Sequence, residues 1–237
     1  MLRLVFLLQN KKMDLYPLYN SLRIAAISSV IVFFAGIAAA YYSSRLPKLL
    51  KGFLDVFLTL PLVLPPTVCG YFLIVIFGLK RPIGKFLAHF GIKFVMTWYG
   101  GIIAAAVVAF PLMYRTARGA FESFDMNLAY SAQTLGLSDT YIFWRIMMPA
   151  CRQGIMAGAV LSFARALGEY GATSMLIGYT PGRTATISTT VYQLWRTNDD
   201  TGAFIWVIIN LAISAVVLLF VNMLEDKRRK NHALYRH

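Results

Sequence analysis

The chain has 237 residues, of which 58% are hydrophobic and only 14% are charged. A soluble domain carries about 25% charged residues, so the composition excludes an ordinary soluble protein and predicts a single domain that crosses a membrane several times. The formal net charge of +13 does not indicate nucleic acid, because lipid headgroups and topology signals explain a basic excess in so apolar a chain.

Five windows of the sequence carry no charge, or nearly none, and are long enough to cross a bilayer core, which takes about 20 apolar residues. Backbone groups in lipid must bond internally, so each window is predicted to be a helix and the fold class is all-α. The windows are residues 24–44, 56–79, 94–114, 153–181 and 201–224.

The predicted topology places the C-terminus in the cytoplasm. Five spans put the two ends of the chain on opposite sides, and the tail at 225–237 is strongly basic, which is typical of the cytoplasmic side. With the tail included, twelve Lys and Arg lie inside by this topology and ten outside, so the count alone gives weak support and the orientation depends on this tail and on the loop after the third span. The tail cations beside the last span are Lys227, Arg228, Arg229 and Lys230.

No cofactor or metal is predicted in this chain. His89, His232 and His237 have no ligand spacing, and the two cysteines, Cys69 and Cys151, provide no disulfide framework. No G-x-x-x-x-G-K-[ST] motif occurs, so the chain cannot bind nucleotide through a P-loop. Neither an H-E-x-x-H motif nor a Ser/Lys pair deep in a span is present, which argues against a membrane-embedded enzyme.

The stretch AYSAQTLGLSDTYIFWRIMMP, between the third and fourth spans, is too ordered for a simple polar loop. Its first half predicts a short helix, with Leu128, Ala132 and Leu135 on one face. Gly136 suits the C-terminal cap of that helix, because glycine adopts positive φ without steric cost.

The second half of this stretch predicts another short helix. Ser138 is a good N-cap, and Asp139 in the first turn is stabilised by the helix dipole. Pro149 ends this helix or begins the next one. The two helices are predicted to meet at a corner close to a right angle. They form either an amphipathic pair on the membrane surface or a docking element.

The order of residues in this loop resembles the EAA loop of permease subunits of ATP-binding-cassette (ABC) importers. That pattern is E-A-A, three residues, G, nine residues, I, one residue, L-P. Gly136, Ile146 and Pro149 fall at the required spacing, and Met148 replaces the Leu. The family's Glu position is occupied by Tyr130, so the resemblance implies a more apolar contact with the partner.

The resemblance implies that the loop at 125–149 docks on a separate ATPase, which binds ATP and Mg, and transmits its closure to the membrane helices. This spacing argues against a stand-alone ion-coupled transporter, the alternative of a different class. The residues implied in the ATPase coupling contact are Ala129, Tyr130, Ala132, Leu135, Gly136, Ile146 and Pro149.

Three further stretches, LPLVLPPTVCGYFLIVIFG, TWYGGIIAAAVVAFPLM and SFARALGEYGAT, resemble molybdate permeases, and the match covers residues 21–219. The segments VLPP and VVAFPLM are closer to molybdate than to sulfate permeases. Tungstate has nearly the size and charge of molybdate, so tungstate and sulfate importers remain alternatives.

The family resemblance also implies the rest of the assembly. It implies a type I ABC importer permease fold in a prokaryotic cytoplasmic membrane, with a membrane core at about 19–225. Two copies of the chain would form the pore, and two ATPase subunits would dock below them. An extracytoplasmic binding protein would deliver the oxyanion.

Two groups of residues are candidates for the translocation pathway. Arg165 and Glu169 are the charges within the fourth window, and ionisable groups in a membrane usually face a bundle interior or cavity. They form either a structural pair or a gate that keeps Arg165 from trapping an anion. Pro65 and Pro66 interrupt the second span beside Thr67, as a packing kink or as a bend at a gate.

Overall fold

A computed structural model describes residues 14–234 and the side chains of residues 14–219. The basic side chains predicted for the tail, with His232 and His237, lie outside this described part. The helices in chain order are α1 Tyr16–Ser44, α2 Lys48–Val63, α3 Pro66–Phe77, α4 Pro82–His89, α5 Trp98–Glu122, α6 Met126–Thr134, α7 Asp139–Ile142, α8 Met148–Leu167, α9 Gly171–Ile177, α10 Ile187–Arg196 and α11 Asp200–Leu234, and a π-helical turn, Phe143–Met147, joins α7 to α8.

The predicted all-α membrane fold is confirmed. In the described part, 4 helical segments are long and apolar enough to cross a membrane. They are Tyr16–Ser44, Trp98–Glu122, Asp139–Leu167 and Asp200–Leu219. Helices α2 and α3 pass the same test only as a pair, which raises the number to 5. Each of the five predicted windows overlaps one of these segments.

The second window is not the single kinked helix that the sequence predicts. Helix α2 ends at Val63, α3 begins at Pro66, and the two axes differ by 113°. The residue before a proline is pushed out of the helical region, and Leu64 is extended, with φ −70° and ψ 140°. Pro66 then starts the next helix, where its missing N–H would be unpaired in any case.

The fourth window is shifted and broken relative to the prediction of one helix over residues 153–181. The helix begins earlier because α7, the π turn and α8 form one run from Asp139. It ends at Leu167, and α9 follows only at Gly171. Arg165 and Glu169 therefore do not share a helix, since Glu169 lies in the break.

The core of the bundle is the packing of α1 against α5, the most extensive helix contact in the described part. The helices approach closely because Gly36 leaves room for Met113, to whose Cγ a Cβ at position 36 would come within 2.6 Å. Nearer the end of α1, Ser43 Oγ and Tyr114 Oη are hydrogen-bonded at 2.8 Å, and both side chains are buried.

The two ends of the bundle are held by different contacts. We call the end that carries residues 126–147 the loop end, and the C-terminal ends of α1 and α5 lie there. At the opposite end, Tyr16 Oη donates to the Arg183 carbonyl at 2.6 Å, and Asn20 Nδ2 donates to the Ala185 carbonyl at 2.9 Å. These bonds attach the start of α1 to the loop before α10.

The glycine in α1 provides a test of this packing. We expect Gly36→Leu to lower the thermal unfolding midpoint of the detergent-solubilised protein, because overpacking a core costs about 1–3 kcal/mol. The matched control is Gly119→Leu in α5, where an added Cβ meets nothing within 4 Å. The control should leave the midpoint unchanged or raise it, since glycine is disfavoured inside helices. Equal losses in both variants would contradict the packing argument.

Candidate docking loop and helix junction

The first loop helix, α6, is capped at both ends by its own residues. The Asp125 carboxylate accepts a hydrogen bond from the Asn127 N–H at 3.0 Å. At the other end Gly136 has φ +79°, and its N–H donates to the Gln133 carbonyl. The Leu137 N–H donates to the Ala132 carbonyl, which completes a Schellman motif. The predicted helix and its glycine cap are confirmed.

The second half of the loop turns away from α6 at Gly136 and is tied back to it. Ser138 caps the next helix as predicted, accepting from the Tyr141 N–H at 3.3 Å. Gln133 Nε2 donates to Asp139 Oδ1 at 3.0 Å, which links the two halves across the corner. The prediction of a second separate short helix is wrong, because this helix continues into α8 without a break.

A π turn makes this continuation possible. Proline in a helix lacks an N–H, and its ring clashes with the carbonyl four residues earlier. Pro149 follows a wider turn, in which the Met148 N–H donates to the Phe143 carbonyl five residues back. Pro149 is thus in the first turn of α8, close to the predicted first position, and the wider turn before it lets the run from Asp139 continue.

Aromatic rings fix this part of the loop to the bundle. Phe143, in the π turn, contacts Tyr41 of α1 with ring centroids 4.5 Å apart. Tyr41 also contacts Phe121 at the end of α5, at 6.0 Å. The guanidinium of Arg45 lies 4.1 Å from the Tyr41 ring centroid. No local pattern in the sequence indicates this cluster, because the three rings come from three distant segments.

The loop divides its residues between the bundle and solvent. Ala129 and Ala132 are buried, and Ile146 packs partly against the core. Tyr130 is 57% exposed and Leu135 is 80% exposed. Of the predicted face, Ala132 is buried, whereas Leu128 and Leu135 are exposed, so its three residues do not share one environment. The buried side of α6 consists of the two alanines, which belong to the hydrophobic core of the described part.

Ion pairs at the loop end hold α2 in place. Lys51 Nζ lies 2.5 Å from Glu122 Oε1, and Arg118 Nε lies 2.8 Å from the same oxygen. Arg118 also pairs with Asp55. Helix α2 buries none of its side chains, so these pairs are its main attachment to α5 at this end.

Glu169 is the central residue of the junction at the far end of α8. Its side chain is only 1% exposed, and its Oε2 lies 2.6 Å from Arg165 Nη1. Its Oε1 accepts a hydrogen bond from the Ala172 N–H at 2.7 Å. The predicted pair is thus confirmed as a contact, and the same carboxylate caps the first turn of α9.

The break between α2 and α3 meets the break between α8 and α9. An added Cβ at Gly171 would lie 2.8 Å from Pro66 Cβ and 3.1 Å from the Thr67 nitrogen. An added Cβ at Gly70 would lie 2.8 Å from Ala172 Cα. Nothing in the sequence indicates that Gly70 and Gly171 lie at the same contact, although both occur in the stretches that carry the family resemblance.

The structure therefore sorts the candidate residues into two sites on one helix run. The loop residues lie at the beginning of the run from Asp139 to Leu167. The pathway residues lie at its end, where Pro66 and Thr67 meet the break that holds Glu169, and Pro65 is the N-cap of α3.

Comparison with known proteins agrees with this architecture. The family model described as binding-protein-dependent transport system inner membrane component matches residues 31–230. The molybdenum transport system permease protein ModB of Escherichia coli K12 is 41% identical over 209 residues, covering 86% of this chain and 91% of that protein. ModB of Haemophilus influenzae is 36% identical over 216 residues, covering 90% and 91%.

A solved bacterial ABC transporter involved in the import of the acidic polysaccharide alginate has a similar fold. The TM-score is 0.76 at 18% sequence identity, with 95% of this chain and 83% of that chain covered. At this identity the likeness establishes the fold alone. With the family match over most of its length, the chain belongs to the binding-protein-dependent transport system inner membrane components and has the fold of ABC importer permeases.

Proposed function

We propose that this chain is the pore-forming subunit of an ATP-driven molybdate importer. The observation that carries the proposal is the helix run of 29 residues from Asp139 to Leu167. It joins the exposed loop to the Glu169 junction over roughly 43 Å, at about 1.5 Å per residue. A partner that binds the loop at the membrane surface and displaces it would therefore also displace the junction, which lies within the membrane.

The partner on the loop is an ATPase that binds ATP and Mg in its own sites. The exposed surface of the loop includes several large apolar or aromatic side chains, namely Leu128, Tyr130, Leu135, Tyr141 and Trp144. Such side chains fit an apolar groove on a partner. With Tyr130 at the family's acidic position, the contact on this side depends on burial rather than on charge.

The remaining partners follow from the family. Two copies of the chain form the pore, and an extracytoplasmic protein delivers the anion. The loop end and the C-terminus face the cytoplasm. Closure of the ATPases draws the loops together and opens the pathway outward, and hydrolysis returns the inward-facing state. Each state needs its own set of contacts, because a ligand shifts only states for which its affinity differs.

The junction is the part of the chain that changes between these states. Both of its helices are already broken, so movement there does not require new breaks in backbone hydrogen bonds. Glu169 neutralises Arg165, and a neutral pair lets an anion pass where a free arginine would hold it. Arg165 is 30% exposed, whereas Glu169 is buried, so the arginine is the member that an anion would meet.

The choice of anion is tested by uptake. We expect vesicles with this permease, its ATPase and its binding protein to accumulate radiolabelled molybdate only when ATP is present inside. Excess tungstate should compete strongly and excess sulfate weakly. Stronger competition by sulfate would favour a sulfate importer, and uptake without the ATPase would favour a stand-alone transporter.

The corner of the loop is tested by Gly136→Val. A β-branched residue is strained by about 1–2 kcal/mol or more at positive φ, so the two halves of the loop should lose their orientation. We expect ATP-dependent uptake to fall about tenfold, a change of roughly 1.4 kcal/mol, while the protein stays in the membrane. The measurement is uptake together with substrate-stimulated ATPase activity.

Gly182→Val is the matched control for this variant. Gly182 has φ +66°, and an added Cβ there also meets nothing within 4 Å. It carries the same backbone strain but lies outside the loop, so the ATPase should remain coupled. Normal coupling in Gly136→Val, or equal uncoupling in both variants, would count against the loop as the docking element.

The junction is tested by Glu169→Gln. The amide oxygen can still accept from the Ala172 N–H, but the partner charge of Arg165 is lost. We expect the variant to assemble with its partners and to transport about tenfold more slowly, a change of roughly 1.4 kcal/mol, because the partly exposed guanidinium of Arg165 is left free to hold the anion.

The double variant Arg165→Gln/Glu169→Gln separates the two roles of the pair. It removes both charges, so no free guanidinium remains to hold the anion, and uptake should return if the lone Arg165 trapped it. Continued slow uptake in an assembled complex would contradict this trapping and would favour a structural pair whose loss disturbs the junction. Failure of Glu169→Gln to assemble at all would show that the pair is structural.

A further inference from the structure

A short helix at the opposite end of the bundle has no role in the proposed mechanism. Helix α4 and its flanks, residues 79–93, connect α3 to α5, and we call this stretch the α4 segment. One side of the helix rests on the protein: Gly84 is buried, an added Cβ there would strike the Gly78 carbonyl, and Leu87 and Ala88 are half-buried. The other residues of the helix are exposed.

The exposed face of the α4 segment is apolar at helical spacing. Ile83, Phe86 and Phe90 follow one another at i, i+3 and i+7, so they lie on one stripe. All three are exposed, and Phe86 and Phe90 are 65% and 64% exposed. Their rings contact each other at 5.2 Å. In water such a stripe would be unfavourable, so it requires an apolar environment outside the protein.

A row of cations accompanies this stripe. The stretch from Phe77 to Thr97 contains no Asp or Glu. Within the described part of the chain, no carboxylate pairs with any of its cations. The cations are Lys80, Arg81, Lys85 and Lys93, and all four are exposed.

The position of the segment identifies the apolar environment as the membrane. The segment begins just after α3 and ends just before α5, and both helices belong to the spanning segments. The two ends are close together, because the rings of Phe77 and Phe94 contact at 5.1 Å. Trp98 and Tyr99 begin α5, and these residue types are enriched at the boundary between lipid and water.

We propose that the α4 segment lies in the membrane interface and binds anionic phospholipid headgroups. Ile83, Phe86 and Phe90 enter the lipid, and the cations remain at headgroup level, as in interfacial amphipathic helices. A surface that attracts oxyanions from solution would need the cations but not the apolar stripe, so the stripe favours a lipid contact. This proposal does not depend on which anion the complex transports.

The proposal also explains an irregularity in the charge distribution. By the topology that the tail predicts, these four cations lie on the side where Lys and Arg are normally scarce. Cations that are bound to anionic headgroups lie at the interface itself. They therefore serve as an anchor and are not evidence against the orientation.

The headgroup contact is tested in two kinds of vesicle. The protein is reconstituted in phosphatidylcholine alone and in an equal mixture of phosphatidylcholine and phosphatidylglycerol. We expect phosphatidylglycerol to raise the thermal unfolding midpoint by several degrees, and Lys85→Gln/Lys93→Gln to lose about half of that rise. The control, Arg183→Gln/Arg196→Gln, removes two exposed cations from the same end and should keep it. Equal losses in the two variants would overturn the headgroup assignment.

The depth of the helix is tested with spin labels in the same vesicles. A label at Phe86→Cys should be more accessible to oxygen than to a water-soluble nickel reagent, and a label at Lys85→Cys should show the reverse. Equal exposure of both labels to the nickel reagent would refute the interfacial position. Protection of position 86 only after a soluble acidic protein is added would also refute it and would indicate a protein partner.

Discussion

The carboxylate of Glu169 occupies the place where two membrane helices of this chain are interrupted. A broken helix in lipid leaves backbone groups without partners, so each break must be satisfied from within the protein. One oxygen of Glu169 accepts from the first turn of α9, and the other pairs with Arg165 at the end of α8. On the α3 side the break is made by prolines, which have fewer N–H groups to satisfy. The glycines at 70 and 171 let the two breaks touch.

This arrangement sets the mechanical layout of the molecule. The two breaks touch each other at one end of the run, and the run from Asp139 to Leu167 is continuous helix between them and the loop. Caps, a Schellman motif and an aromatic cluster give the loop a fixed shape without any partner. Several of its large apolar side chains, among them Leu128, Tyr130 and Leu135, are exposed and can contact the proposed partner. Part of the π turn packs on the bundle instead.

The sequence predicts the features that local chemistry determines. The predicted windows overlap each spanning segment of the described part, and Gly136 and Ser138 lie at the predicted caps of the loop helices. The failures have a common cause. Hydropathy cannot distinguish a continuous span from two half-helices, so the breaks at Leu64 and Gly168 were read as a kink and as continuous helix. The contact between Pro66 and Gly171 joins positions far apart in the chain, and no local pattern encodes it.

The environment of α6 is likewise not determined by local periodicity. The spacing places Leu128, Ala132 and Leu135 on one face, but it does not indicate which side of the helix is buried. In the structure Ala129 and Ala132 are buried, and the two leucines are exposed. The preference for large apolar residues inside, which holds in a soluble core, is reversed where a helix is itself a contact surface.

The π turn at Phe143–Met147 has a consequence for the angular relation between the two sites. A π turn accommodates one residue more than the α-helix around it, and one residue corresponds to about 100° of rotation. The helix residues before Phe143 are therefore rotated about the helix axis relative to those after Met147. Loss of a single residue here would leave both sites chemically intact while aiming the outward face of the loop in another direction. A loop exchanged between permeases would thus have to include the turn, because the turn sets the rotation of the loop about the helix axis.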